Sequence, residues 1–333
     1  MRLAYRIEGE GPAVLMCPLF VEAFSVADGW PDQRRFYDAL GRRRSLILYD
    51  TRGTGLSDRE VDDLSAGSLV LDLAAVVEAA GFEKCSVFAA EEAGPRAIRY
   101  AVENPDRVES LVLWGTFARG SDQATPEQIA AYALMCRQNW RLAAQMSANI
   151  SGWDEEGGPA AIARTQMYYR STSGEMAARM VEATHSDDAD VTSLLPKVKA
   201  RTLVLHRSRD RIYPFRNGQA IAQSIPGARL VVLSGVYSSP VDPPTGLEEI
   251  DQFLRGDEGP PTARDTEPIA LTRREIEVLG LIAAGKTSGE VSRELSLSIR
   301  TVGRHITNIY TKIGAKGRAE AAAYALRHGI VDR

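Results

Sequence analysis

Apolar positions along this chain fall into two regimes. Between residues 12 and 234, short apolar runs recur: AVLMC at 13–17, SLILYD at 45–50, CSVF at 85–88, SLVLWGT at 110–116, RTLVLH at 201–206 and ARLVVLS at 228–234. Runs of this length without polar alternation predict strands buried on both faces of a parallel sheet. Residues 1–8 read as a further strand. Helical stretches lie between the runs, near Gln33–Leu40, Leu69–Ala80 and Ala97–Glu103, and Gly246–Leu254 closes the series. Strand alternating with helix predicts a doubly wound, mostly parallel α/β sheet. Residues 117–197 break the alternation, with Thr125–Ser147 and Ala160–Thr184 as predicted helices and Gly152, Gly157 and Gly158 between them.

Residues 255–268, RGDEGPPTARDTEP, have no periodicity and read as a linker between a domain at 1–254 and another at 269–333. The last segment is well punctuated. Thr272-x-x-Glu275 and Thr287-x-x-Glu290 are capping boxes, Ser298 caps a helix over Ile299–Ile313, and Arg318–Arg327 is a fourth helix. Val302, Ile306, Ile309 and Ile313 form an apolar stripe, while Thr301, Arg304, His305, Asn308 and Lys312 form a polar one at the same spacing. A short helix, a tight turn and a helix with one basic, hydrogen-bonding face meet the requirements of major-groove reading.

Charge sharpens that division. From Pro268 to Arg333 there are 11 Lys and Arg against 6 Asp and Glu, net +5; the remainder carries 29 against 38, net −9. An acidic body with a basic terminal segment points to nucleic-acid contact through the segment. With 333 residues, 44% of them apolar, the chain has material for about two domains. Cys17, Cys85 and Cys136 are too few and too scattered for a disulfide framework or a zinc site, and point to a reducing compartment. The first residues lack the apolar core of a signal peptide, and no run approaches the roughly 18 apolar residues of a membrane span. The expectation is a cytoplasmic protein with no membrane partner, no cofactor and no metal.

LTRREIEVLGLIAAGKTSGEVSRELSLSIRTVGRHITNIYTKIGAKGRAEAAAYALRHGIV closely resembles the LuxR-type (GerE-like) helix-turn-helix. Thr272, Glu275, Glu277, Val278, Leu279, Gly285, Thr301, Val302, His305, Ile309, Lys312, Arg318 and Ala321 stand where that family places them. The resemblance implies a double-stranded DNA operator, a homodimer on paired half-sites, and DNA contacts by Arg300, Thr301, Arg304, His305, Asn308 and Lys312. A four-helix protein-interaction module is the rival. Two departures stand out: the usual Asn-Lys pair before the second helix is Ser288-Gly289, and Gly303 sits inside the recognition helix.

The body resembles the α/β-hydrolase family. Asp50, Arg52, Gly53, Gly55 and Ser57 match its D-x-R-G-x-G-x-S loop, and residues 117–197 stand where it inserts a helical cap. Its nucleophile elbow, G-x-S-x-G, reads Ala89, Ala90, Glu91, Glu92, Ala93 here. The acid position holds Asp210 and the histidine position Ser238. Serine has no usable basicity near neutral pH, so the triad positions Glu91, Asp210 and Ser238 imply no ordinary esterase. Related enzymes use an elbow carboxylate as nucleophile, so a hydrolase built on Glu91 and fused to a DNA-binding domain is the alternative.

The reading expected is a transcriptional regulator whose inactive hydrolase-like domain senses a small molecule, mediates dimerisation, or both. Phe20, Glu91, Glu92, Trp153, Asp210 and Ser238 are the expected ligand-binding residues, the first and third through backbone N–H groups. Paired carboxylates at Glu91 and Asp210 favour a cationic or donor-rich ligand or share a proton. Internal pairing of Glu91 with an arginine such as Arg209 is the rival. Met146, Trp153, Met167, Tyr168, Met176 and Met180 are candidate cavity walls, with cap-to-body packing as the alternative role.

Overall fold

The computed structural model describes the chain except residues 20, 28–30, 152–157, 234–244, 257–272, 296, 314, 316, 328, 329 and 331–333. Contacts divide it into two compact units, Met1–Pro261 and Thr262–Arg333. Phe20, Trp153, Ser238, Thr272 and residues 257–268 of the expected linker lie outside the described residues.

In the first unit the order is β1 (Tyr5–Glu8), β2 (Ala13–Cys17), α1 (Phe24–Ala27), α2 (Pro31–Leu40), β3 (Ser45–Tyr49), α3 (Ala66–Ala79), β4 (Cys85–Ala90), α4 (Gly94–Glu103) and β5 (Val108–Trp114). There follow α5 (Pro126–Gln138), α6 (Trp140–Ser151), α7 (Pro159–Ser171), α8 (Gly174–Thr184), β6 (Arg201–Arg207), α9 (Phe215–Ser224), β7 (Arg229–Leu233) and α10 (Thr245–Arg255). The seven strands form one sheet in the order β1-β3-β2-β4-β5-β6-β7. All neighbours are parallel except β1, which pairs antiparallel with β3. This edge strand shows the mixed pattern of exposed and half-buried residues that an edge permits, whereas β2, β3 and β4 are buried throughout.

Alternate residues of the inner strands feed two cores. Leu15, Ile47, Val87, Leu111 and Val204 pack with Leu73, Val77, Ile98 and Ile221 of α3, α4 and α9. Their neighbours Val14, Met16, Leu48, Phe88, Val112 and Leu203 pack with Phe36, Leu40, Ile250 and Phe253 of α2 and α10. The period of 2 along each strand therefore sorts one apolar run into two layers.

The cap consists of four helices rather than the two long ones expected. Asn139 breaks the first, its Oδ1 accepting from Leu142 N as α6 begins. Ser173 caps α8 through Met176 N, and a Cβ on Gly174 would meet the Cys136 carbonyl, so only glycine admits the close α5–α8 packing. Met167, Met176 and Met180 are buried in this cap core with Trp140 and Ala144.

The second unit holds α11 (Arg273–Ala283), α12 (Ser288–Glu294), α13 (Ile299–Ile313) and α14 (Arg318–Arg327) around Val278, Leu279, Ile282, Val291, Val302, Ile309, Ala321 and Ala325. Gly285, at φ 88°, ends α11 in the left-handed conformation. The Thr287/Glu290 capping box forms, and Ser298 Oγ accepts from Thr301 N at 3.0 Å. Among the described residues no helix is long and apolar enough to cross a membrane.

Candidate functional site

The elbow is where the fold departs from relaxed backbone. β4 is the central strand, and it leads directly into Glu91, the one non-glycine residue with positive φ (52°) among the described residues. A carboxylate-bearing residue in this region stores about 1–3 kcal/mol of strain, which surrounding structure must hold. Two contacts do so. Thr116 Oγ1 donates to the Glu91 carbonyl, and Gly94 lets the start of α4 pass Thr116 so closely that a Cβ there would overlap the hydroxyl. The turn therefore lifts Glu91 to the C-terminal edge of a parallel sheet, the usual ligand side of such sheets.

Above it lies a cavity of about 260 Å³ under the cap. Glu91 and Glu92 are on its wall, with Leu19, Gln123, Tyr132, Met146, Tyr168, His185, Ile212 and Tyr213 among the other lining residues. Glu91 is only 6% exposed. Burial, then the charges of Glu92, Asp210 and Glu22, push its carboxyl well above the ordinary range, against the opposing charge of Arg164. Glu22, buried beneath the same region, is pushed up to about 7, chiefly by burial. Tyr213 is fully buried, and its hydroxyl donates to Glu92 Oε1 at 2.5 Å.

Asp210 behaves differently from the expectation. Its Oδ1 accepts from Ile212 N and Tyr213 N, both at 2.9 Å, so it shapes the loop after β6 and acts on Glu91 through its charge rather than from the cavity wall. Arg209 is exposed, so the arginine that matters electrostatically is Arg164, a fully buried residue of α7 whose guanidinium donates to the Ala148 carbonyl. Met146 and Tyr168 line the cavity; Met167, Met176 and Met180 do not, and Met176 and Met180 instead pack the cap against the body loop at Gly53.

His185 is the residue sequence reasoning missed. It ends α8, stacks on Phe117, and reaches the cavity 94 positions after Glu91 in the chain. Its Nδ1 lies 2.9 Å from the Val181 carbonyl and its Nε2 2.8 Å from Gln123 Oε1. Nothing local distinguishes it from a surface histidine at a helix end. His206 is wholly buried, with Nε2 against the Tyr213 carbonyl at 2.9 Å, and burial drives it toward the neutral form.

The D-x-R-G-x-G-x-S loop is a structural clamp. Asp50 accepts from Ser25 Oγ at 2.7 Å and Leu56 N at 2.8 Å. Arg52 makes a buried two-point pair with Asp72 of α3 at 2.6 and 2.7 Å, and also donates to the Asp63 and Ser68 carbonyls.

In the second unit, α13 exposes Arg304 on the face opposite Val302 and Ile309, and half-exposes Thr301 and His305 on its flank. Arg300, Asn308 and Lys312 fall on the same helix, with side chains outside the described residues. Arg318 has a structural role: it donates to the Ile282 and Lys286 carbonyls and so closes the end of α11.

Comparison with known proteins divides along the same line. Residues 270–325 match the bacterial regulatory proteins of the luxR family. The transcriptional regulatory protein LiaR of Bacillus subtilis (strain 168) is 49% identical over 63 residues, 19% of this chain and 30% of LiaR. The oxygen regulatory protein NreC of Staphylococcus aureus (strain JH9) is 32% identical over 143 residues, 40% of this chain and 65% of NreC. The chain thus spans less than two thirds of the length of either relative. A hydrolase from Pseudomonas aeruginosa PA01 superposes with a TM-score of 0.65 at 24% identity, covering 76% of this chain and 94% of its own. The enol-lactonase from Burkholderia xenovorans LB400 gives 0.62 at 23% identity, covering 77% and 94%. At these identities the likeness is one of fold.

Proposed function

We propose that this chain, an α/β-hydrolase-fold unit joined to a LuxR-family helix-turn-helix domain, is a cytoplasmic transcriptional regulator that holds a small molecule without cleaving it. The observation that carries the reading is Glu91. The elbow position is occupied by a buried carboxyl held toward its neutral form, on the wall of a cavity under the cap. A neutral carboxyl is a poor nucleophile, so a ligand held beside it is not attacked. Phe20, Trp153, Asp210 and Ser238 complete the proposed ligand surroundings, Asp210 through its charge. DNA is bound through α13, with Arg300, Arg304 and Lys312 on phosphates and Thr301, His305 and Asn308 facing bases or bridging water. The active species is a homodimer on half-sites about one DNA turn apart.

The second reading is a hydrolase using Glu91 as nucleophile, and one observation favours it: His185 lines the same cavity. Against it, both ring nitrogens of His185 already have oxygen partners, and Glu91 would have to ionise before attack. Purified chain incubated with p-nitrophenyl esters, epoxides and haloalkanes decides between them. The proposal expects no multiple turnover; turnover abolished by Glu91→Gln would establish the second reading. Selection of bound fragments from a random duplex pool is expected to return a two-fold symmetric site.

A further inference from the structure

We propose that the cavity over Glu91 takes a small amine with an apolar body, its ammonium group held by Glu91 and Glu92. This rests on the reading of the unit as a shell that holds a ligand. At about 260 Å³ the cavity lies near the lower edge of small-molecule sites, roughly 300–1,000 Å³, so the occupant is a small molecule and not a peptide. Its walls are mostly apolar and aromatic, Leu19, Ile129 and Tyr168 among them, with Gln123, Gln128 and Ser147 as neutral polar lining. Neither lysine nor arginine is among the described lining residues.

Acceptor counting selects the head group. The Glu91 carboxyl is 6% exposed, faces the cavity and has no hydrogen-bond partner among the described residues. Glu92 Oε1 is taken by Tyr213, but Oε2 is buried without a partner. Ionised, the pair therefore offers three unused acceptor oxygens. An ammonium has three donors and no acceptor, which matches this set. A ligand carbonyl would accept one bond from protonated Glu91 and leave Glu92 Oε2 unsatisfied. The tyrosine faces add cation–π attraction.

Charge selects in the same direction. Glu92, Asp210 and Glu22 all act on Glu91 as negative groups, with Arg164 the opposing cation; Tyr132, Tyr168, Tyr213 and His185 are the other titratable groups on the wall. The empty site relieves this surplus by protonating Glu91. A bound ammonium relieves it instead, so Glu91 gives its proton to solvent and the amine keeps its own. Amine affinity rises with pH until Glu91 ionises unaided, whereas affinity for a neutral carbonyl ligand falls over the same range.

The test is isothermal titration of the full chain with 2-phenylethylamine and with the neutral 4-phenylbutan-2-one, between pH 6 and 8.5, in two buffers of different ionisation heat. The amine is expected to bind at least about tenfold more tightly than the ketone and to release close to one proton. Glu91→Gln is expected to remove the release and weaken the amine by about tenfold or more, and Glu92→Gln to weaken it while retaining the release. Melting curves of both variants check that the fold survives. Equal or tighter ketone binding, or amine binding unchanged in both variants, overturns the amine assignment and leaves the ligand-holding reading standing. Binding of neither probe overturns both.

Discussion

Tyr213 and Glu92, 121 positions apart, meet in a 2.5 Å hydrogen bond that joins the loop after β6 to the elbow after β4. Tyr213→Phe keeps the ring stacked near Phe117 and removes only the donor. Glu92 would then have neither carboxylate oxygen paired. We expect a loss of about 1–3 kcal/mol in denaturant unfolding of the full chain. A loss below about 0.5 kcal/mol, the scale of a neutral surface change, would show that Glu92 finds another partner.

Arg52 and Asp72 are both buried, and the guanidinium meets the carboxylate at two points. Breaking such a pair by changing one member leaves an uncompensated charge, so Arg52→Met or Asp72→Asn alone should cost about 3–5 kcal/mol. The double variant should cost clearly less than the sum. A double-mutant cycle by chemical denaturation reads this directly; additive losses would refute the coupling.

Stability should fall as pH rises from acid to neutral. Glu22 is raised from 4.5 to about 7 and Glu91 moves in the same direction, both chiefly by burial. At these two carboxyls the folded chain binds more protons than the unfolded one above pH 4.5, and the stability present below that pH is lost as pH climbs, for Glu22 up to about 7; His206, lowered by burial, opposes this near its ordinary value of 6.5. Asp63, lowered from 3.8 to about 2, keeps its contribution throughout this window and loses it only as pH falls from 3.8 toward 2, so it does not mask the trend. Glu91→Gln should therefore raise the melting temperature at pH 8 and leave it nearly unchanged at pH 4.5. A variant that tracks the parent chain at both pH values contradicts the burial argument.

Gly303 is exposed in the middle of α13, and a Cβ placed there meets nothing within 4 Å. Gly303→Ala should stabilise the helix by about 1 kcal/mol. Amide exchange along α13 of the full chain is expected to slow by about fivefold, and unchanged exchange would mean that the helix opens from elsewhere.

Arg304 is exposed on the same helix. If it meets a phosphate, Arg304→Ala weakens binding to all duplexes alike and lowers the slope of log affinity against log salt by about one. Fluorescence anisotropy over a salt series measures both. A changed sequence preference with an unchanged slope would place Arg304 on a base edge instead.

Much of the fold was readable because its signals are local. The buried strands announce themselves as apolar runs, and the Thr287/Glu290 box and Gly285 mark helix ends within a few residues of where they act. The cap was read less well. Asn139 and Ser173 each interrupt a long helical pattern, and a single polar residue in such a pattern is as often an exposed helix position as a cap. Asp210 was placed at the cavity by its position after β6, but its carboxylate serves its own loop.

By itself the sequence determined that there are two units of opposite charge, a mostly parallel sheet, a four-helix basic segment, and an acid at the tip of a strand-to-helix turn. Those properties follow from periodicity, capping and composition, which act over a few residues. Only the tertiary structure decided that Glu91 adopts a left-handed backbone, that Arg164 and not Arg209 offsets its charge, and that His185 and Tyr213 share its cavity. These are products of packing between elements up to 121 positions apart, where the neighbour of a side chain is chosen by the space that remains once sheet and cap have closed.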